Sequence, residues 1–311
     1  MTTEALIQPM TKQSTVTHLL NQVKLKPPEY KSEVKPIWCP GCGDFGVLSA
    51  FYKALSDLGI SPEQAAIVSG IGCAGRFPAF VEAYGFHGVH GRALPLATGV
   101  KMARPELMVA VIGGDGDAFS IGAGHFPHAA RRNIDICYIV MDNEIYGLTK
   151  GQASPTSPVG LSPKAAPYGE IKAAKSTPYG NTDAPVNPIA MALTYGATYV
   201  ARGFSSQPKV ITELIKHGLM HKGFAFLQIY SPCVTFYDTY DHYKEKTTPL
   251  PAGHDTHDKL AAMKLAFDPD HLYLGEFYIE ERTSMAENAV ETRKKAGSKF
   301  SLEALMAQYK S

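Results

Sequence analysis

"LMVAVIGGDGDAFSIGAGHFPHAARRNIDICYIVMDN", residues 107–143, decides the fold. It opens with an apolar run that stops at the turn GGDGD and closes with a second, DICYIVM, that stops at Asp-Asn. The stretch between, 119–132, has the character of a helix. Strands that are apolar throughout, rather than alternating, are buried on both faces, as parallel strands are. "AAIVSGIG" (65–72) and "GFAFLQIYSPC" (223–233) repeat the pattern. "GDFGVLSAFYKALSDL" (43–58) carries Val47, Leu48, Phe51, Ala54, Leu55 and Leu58 at helical spacing. The expectation is an α/β fold, a mostly parallel sheet with helices on both faces. In such sheets ligands bind beyond the carboxyl ends of the strands, and the motifs below fall at such ends.

Around this body, residues 1–34 read as an N-terminal arm, 35–240 as one domain and 241–311 as a charged, partly helical C-terminal extension. Residues 151–188 are rich in Pro, Gly, Ser and Thr and read as a long functional loop. The 311 residues carry a formal net charge of +1 without a basic block, which argues against nucleic acid as a partner. No apolar run approaches the roughly 20 residues of a membrane helix, and the N-terminus lacks a secretory signal, so a cytoplasmic location is expected. There, five cysteines point to metal or redox chemistry rather than structural disulfides.

Asp115 in GGDGD and Asn143 in MDNEIYG stand 28 residues apart, the length of one helix and one strand. They are expected at the ends of neighbouring strands. A diphosphate held through Mg²⁺ needs hard oxygen ligands: the Asp115 carboxylate, the Asn143 amide oxygen and the Ile145 backbone carbonyl. The glycines let backbone N–H groups approach phosphate oxygens, and a helix following Asp117 adds its dipole. The plain alternative is a strand–helix turn with Asp117 as N-cap.

Cys39 and Cys42 in "KPIWCPGCGDFG" (35–46) form a close pair, while Cys73 and Cys233 stand singly at strand ends. Four thiolates suit zinc or a [4Fe–4S] cluster; the scatter of two ligands over separate strands favours iron–sulfur. Cys137 lies within an apolar run and reads as a packed core residue. "GIGCAG" (70–75) matches a dinucleotide-binding glycine pattern, but no acid follows at the required distance and Pro78 disturbs the helix. His87/His90 and His125/His128 have zinc-like spacing without a completing ligand; His90, His125 and Arg92 are expected near the cofactor instead.

A Gly-Asp-Gly followed by such an Asn resembles the thiamine diphosphate signature. "GDGDAFSIGAGHFPHAARRNIDICYIVMDNEIYGLTKGQASPTSP" (114–158) resembles the β subunits of the 2-oxoacid:ferredoxin oxidoreductases, most like those acting on 2-oxoglutarate; "HGRALPLATGVK" and "GATYVARGFS" add to the likeness. The resemblance spans about Lys35 to Tyr237. It implies thiamine diphosphate contacted by Gly72, His90, Gly91, Arg92, Gly114, Gly116, Asp117, Gly147 and Leu148. It implies Mg²⁺ on Asp115, Asn143 and Ile145, and a [4Fe–4S] cluster on Cys39, Cys42, Cys73 and Cys233. The implied reaction is CoA-dependent, reversible oxidative decarboxylation of a 2-oxoacid, with ferredoxin as electron acceptor. No activating glutamate is recognisable in this chain; the resemblance assigns it to an α subunit in an (αβ)2 assembly. Arg76 and Lys150, close after ligand positions, are expected to hold a second carboxylate, which favours 2-oxoglutarate over pyruvate or another 2-oxoacid. A non-catalytic, zinc-stabilised binding subunit is the rival of another class.

Overall fold

The two apolar runs of 107–143 are adjacent parallel strands in a computed structural model that describes residues 23–162, 170–171, 177–296 and 301–309. Eight strands share one sheet: β1 (Ala65–Ser69), β2 (Tyr84–His87), β3 (Met108–Gly114), β4 (Ile136–Asp142), β5 (Tyr199–Phe204), β6 (Phe224–Tyr230), β7 (Thr247–Pro249) and β8 (Leu272–Ile279). Their order is β7-β8-β5-β6-β4-β3-β1-β2. Every neighbouring pair is parallel except β8 with β5. The helices are α1 (Asp44–Leu58), α2 (Ala93–Ala103), α3 (Asp115–Phe119), α4 (Phe126–Arg131), α5 (Pro188–Thr194), α6 (Pro208–Met220), α7 (Tyr240–Lys246), α8 (Lys259–Ala266), α9 (Met285–Ala296) and α10 (Leu302–Gln308).

The core is double because successive strand residues point to opposite faces. Ala110, Ile112, Ile139 and Met141 meet Phe51, Leu55, Ile211 and Leu214 of α1 and α6. Val109, Val111, Tyr138 and Val140 meet Leu94, Phe126, Ile189 and Ala262 of α2, α4, α5 and α8. Cys137 is buried in the first of these clusters, as its strand position required. Helix α1 follows the apolar spacing and ends at Gly59, whose φ of 64° gives a left-handed cap.

Three segments depart from expectation. The helix expected over 119–132 is split: α3 starts at Asp115, a 3-10 turn spans Ala123–His125, and α4 follows. Gly122, Gly124 and Pro127 are poor material for one continuous helix. Asp117 therefore lies inside α3, and the N-cap position belongs to Gly114. The extension expected at 241–311 supplies β7 and β8, so part of it belongs to the same sheet. Of the arm, residues 1–22 lie outside the described residues, but Tyr30 is fully buried and its hydroxyl donates to the Ile60 carbonyl at 2.7 Å. In the long loop, residues 163–169 and 172–176 lie outside the described residues; the rest is irregular apart from two-residue pairings at 152–153 and 170–171. Among the described residues no helix is long and apolar enough to cross a membrane.

Candidate functional site

The strand ends of β1, β3 and β4, with Asp44 at the start of α1, surround one cavity. Its lining includes Gly72, Cys73, His90, Gly114, Asp115, Gly116, Asp117, Asn143, Ile145, Gly147 and Leu148, all expected from the sequence. Asp44, Ile71, Ala74, Met141, Tyr146 and Thr149 complete it and were not foreseen. Asp44 directly follows the CPGCG run, which was a usable signal; the others carry none.

Asp115, at the carboxyl end of β3, is only 1% exposed. Burial, and then the neighbouring Asp142 carboxylate, push its carboxyl up to about 8. Thr156 of the long loop donates to Asp115 Oδ2 at 2.9 Å. Asn143 follows β4 on the adjacent strand end, and its Oδ1 accepts from Ile145 N at 3.1 Å, leaving that carbonyl a second lone pair. The Ile145 side chain is anchored between Leu161 and Tyr237, which fixes the backbone carrying its carbonyl. Glu144, between them, adopts a left-handed φ of 60° that aims 143 and 145. Two buried carboxylates facing each other are costly without a cation, so this oxygen set fits a divalent ion.

Asp117 closes the opposite wall. Its Oδ1 accepts from Ile71 N at 3.0 Å, Gly91 N at 2.8 Å and His90 Nδ1 at 2.5 Å. One carboxylate thus clamps the loops after β1 and β2 onto α3. Gly116 is required: a Cβ there would stand 2.3 Å from the Tyr146 ring.

Of the four expected cysteines, Cys73 lines the cavity and Cys233 stands beside it at Gly147, while Cys39 and Cys42 are held nearby through their neighbours. Trp38 Nε1 donates to the Cys73 carbonyl at 2.8 Å, and Gly43 N donates to the Pro232 carbonyl at 3.1 Å. These bonds tie the segments of Cys39 and Cys42 to those of Cys73 and Cys233. A point 3.7 Å from Cys233 Sγ, 4.0 Å from Cys73 Sγ and 3.5 Å from Asn143 Nδ2 lies directly over Gly147. Burial, then the Asp44 charge, raises the Cys42 thiol, and the same two causes push Cys73 up to about 12. The charges of Cys73 and Cys233 act on Cys42, and those of Cys39 and Cys233 on Cys73. Thiols held protonated by desolvation await a cation that takes them as thiolates, so their chemistry fits an iron–sulfur or zinc centre. Among the described residues, no three His, Cys, Asp or Glu side chains are contracted into a coordination sphere.

Other expected residues stand at the margin. Gly91 adjoins the cavity through the Asp117 clamp, at a φ of 70°. Arg92 turns to the Ile121 carbonyl and His125 Nε2, both at 3.2 Å. Arg76 is half-buried, and its charge lowers the Cys73 thiol against the dominant effect of burial. Lys150 is exposed at the next position after the lining residue Thr149. His87 lies on the exposed edge strand β2, and the GIGCAG glycines lead into a 3-10 turn, not a nucleotide-binding helix.

Residues 70–229 match the family described as thiamine pyrophosphate enzyme, C-terminal TPP binding domain. Residues 233–294 match the C-terminal family of the pyruvate ferredoxin oxidoreductase beta chain. A 2-oxoacid:ferredoxin oxidoreductase subunit beta of Saccharolobus solfataricus is 41% identical, covering 82% of this chain and 86% of that protein. A 2-oxoglutarate synthase subunit KorB of Methanocaldococcus jannaschii is 44% identical over 66% of this chain and 72% of its own length. Among solved structures, the 2-oxoglutarate:ferredoxin oxidoreductase from Magnetococcus marinus, with 2-oxoglutarate, coenzyme A and succinyl-CoA bound, superposes with a TM-score of 0.87 at 45% identity. That match covers 94% of this chain and 99% of the other.

Proposed function

Since this chain belongs to the β subunits of the 2-oxoacid:ferredoxin oxidoreductases and carries their thiamine-enzyme domain, we propose that it carries out CoA-dependent oxidative decarboxylation of 2-oxoglutarate together with an α subunit. The products are succinyl-CoA and CO2, and the reaction is reversible. Asp115, Asn143 Oδ1 and the Ile145 carbonyl would hold Mg²⁺. The glycines at 72, 114, 116 and 147 leave room for the diphosphate, with Gly91, His90, Arg92 and Leu148 around it. Thiamine diphosphate, when bound, supplies the electron sink for loss of CO2. Asp117 keeps His90 and both loop backbones in place during this step. Cys39, Cys42, Cys73 and Cys233 would hold a [4Fe–4S] cluster, which would supply an electron acceptor in line with ferredoxin. Arg76 and Lys150 receive the distal carboxylate; without such a cationic pocket the same chemistry would serve pyruvate or another 2-oxoacid.

The single observation that carries this proposal is the shared rim: Cys73, Cys233 and Asn143 converge on Gly147, beside the buried Asp115. Groups held at these two sets of residues would be near enough to exchange electrons without a moving carrier. The activating glutamate comes from the α subunit in an (αβ)2 assembly, and the arm before residue 35 and the part of 241–311 that follows the sheet dock on this partner. A cytoplasmic location suits five free thiols.

The test is anaerobic purification of the chain with its partner, iron and sulfide analysis, and ferredoxin reduction assayed with a panel of 2-oxoacids. Four irons and four sulfides per chain, with turnover on 2-oxoglutarate and CoA, are expected. Stoichiometric zinc without iron would establish the non-catalytic binding subunit instead. Undiminished 2-oxoglutarate turnover in both Arg76→Ala and Lys150→Ala would refute the pocket assignment.

A further inference from the structure

A buried arginine lies two strands away from the metal-ligand candidates and is connected to them. Arg202, on β5, is 4% exposed and makes no ion pair among the described residues. Its guanidinium stands 5.6 Å from the Tyr230 ring centre and 5.3 Å from that of Phe277. Burying a cation without a carboxylate in contact is expensive, so its position asks for a reason. Its Nε donates to Gln228 Oε1 on β6 at 2.9 Å. Because arginine can only donate, the Gln228 amide has a single orientation, and its Nε2 faces away. That Nε2 donates to Asp142 Oδ2 at the end of β4, at 2.7 Å. Glu144 N donates to Asp142 Oδ1 at 3.1 Å. Thr156 Oγ1 then lies 2.9 Å from both Asp142 Oδ1 and Asp115 Oδ2.

The Thr156 hydroxyl has one proton for two carboxylates. Every donor already supplied to Asp142 weakens its hold on that proton and leaves it for Asp115 Oδ2. Oδ2 is engaged by Thr156 at 2.9 Å, while Oδ1 accepts the longer bond from Asn143 N at 3.5 Å and is the oxygen more open to a cation. The charge of Arg202, carried across the oriented amide, also offsets the repulsion between the two buried carboxylates.

We infer that Arg202 and Gln228 are positioning residues: through Asp142 and Thr156 they orient Asp115 for its divalent cation. This rests on the metal-ligand role proposed above for Asp115. The chain runs across three neighbouring strands in register, Arg202 opposite Gln228 on β5–β6 and Asp142 at the adjoining end of β4. Arg202 touches neither metal nor substrate.

The test uses the full chain in complex with its partner subunit, titrated with Mn²⁺ in the presence of thiamine diphosphate, free Mn²⁺ being read by electron paramagnetic resonance. R202M is expected to weaken Mn²⁺ binding about tenfold, the scale for groups that support metal ligands, and R202K to recover most of it. R202M and T156V together should weaken binding by less than the product of their separate effects, since both act through one carboxylate pair. K101M, which disturbs a buried ion pair elsewhere, should leave Mn²⁺ affinity unchanged; loss there as well would make the effect one of general stability and overturn the inference. Should R202M not accumulate, Q228L breaks the same chain one link closer, with the same expectation. Wild-type affinity in either variant, or strictly multiplicative effects, overturns the positioning role. Absence of Mn²⁺ binding in the wild type overturns the metal site itself.

Discussion

Replacing Gly43 by alanine should open the thiol rim. Gly43 follows the CPGC turn, and a Cβ there would stand 2.7 Å from the Cα, carbonyl carbon and Oγ of Ser231. Two of these three are backbone atoms, so no side-chain rotation relieves the clash. Ordinary contact begins near 3.4 Å, and the two segments must part by about 0.7 Å. Parting strains the Gly43 N to Pro232 O bond of 3.1 Å and the Ser231 Oγ to Asp44 Oδ1 bond of 2.6 Å. Overpacking contributes about 2 kcal/mol and a weakened hydrogen bond about 1 kcal/mol, for a loss of about 3 kcal/mol. At about 2 °C per kcal/mol, Tm should fall by about 6 °C. Because the parted segments carry Cys42 and Cys233, iron and sulfide per chain should fall with it. Gly99→Ala is the control: nothing lies within 4 Å of its Cβ in the interior of α2, and the helix should gain up to about 1 kcal/mol. The assay is anaerobic calorimetry with iron analysis and absorbance near 400 nm. Wild-type Tm and iron content in Gly43→Ala would show that the CPGC loop and the Pro232 segment do not form one rim.

Asp117→Ala removes the acceptor for three donors and should weaken thiamine diphosphate binding at least about tenfold, measured calorimetrically with Mg²⁺; unchanged affinity would mean that the wall holds without its clamp. Lys101, 5% exposed, donates to the Leu107 carbonyl and pairs with Asp135, both at 2.8 Å, so Lys101→Met should cost about 3 kcal/mol in urea unfolding. Burial pushes His221 down to about 4, with Thr198 Oγ1 at 2.7 Å from its Nε2. Its depressed value means that the unfolded chain binds this proton first as pH falls below about 6.5. Stability should therefore drop by up to about 3 kcal/mol between pH 6.5 and 4, an acid loss that His221→Gln should remove from the urea midpoints. An identical pH slope in that variant would assign the acid sensitivity to other groups.

The parallel body was legible because a strand buried on both faces must be written in apolar residues, as 108–112 and 136–141 are. Asp115 and Asn143 were legible because strand-end chemistry follows directly in the chain. β8 was missed because it enters antiparallel at one side and mixes Glu276 with aromatic residues, a pattern that periodicity does not single out. The split after α3 went unseen because glycine in a helical pattern is tolerated until tertiary packing decides. Asp142, Thr156, Gln228 and Arg202 lie far apart in sequence and carry no local motif; only the sheet register brings them together. The four cysteines could be grouped from the sequence, but the bonds from Trp38 and Gly43 that gather them could not.

The order of strands has a consequence for how the protein is made. The last of the four rim cysteines is joined to the chain at residue 233, well before β8 ends at Ile279. Until then β5, every residue of which is buried in the finished protein, shows an unpaired edge toward solvent. A nascent chain at that stage has all four thiols of the rim and an adhesive flank, the condition under which strands pair with the wrong chain. The last forty or so residues of the sheet's sequence thus act as a stopper on the folding intermediate, and a gene truncated near codon 240 would yield inclusion bodies rather than a smaller enzyme.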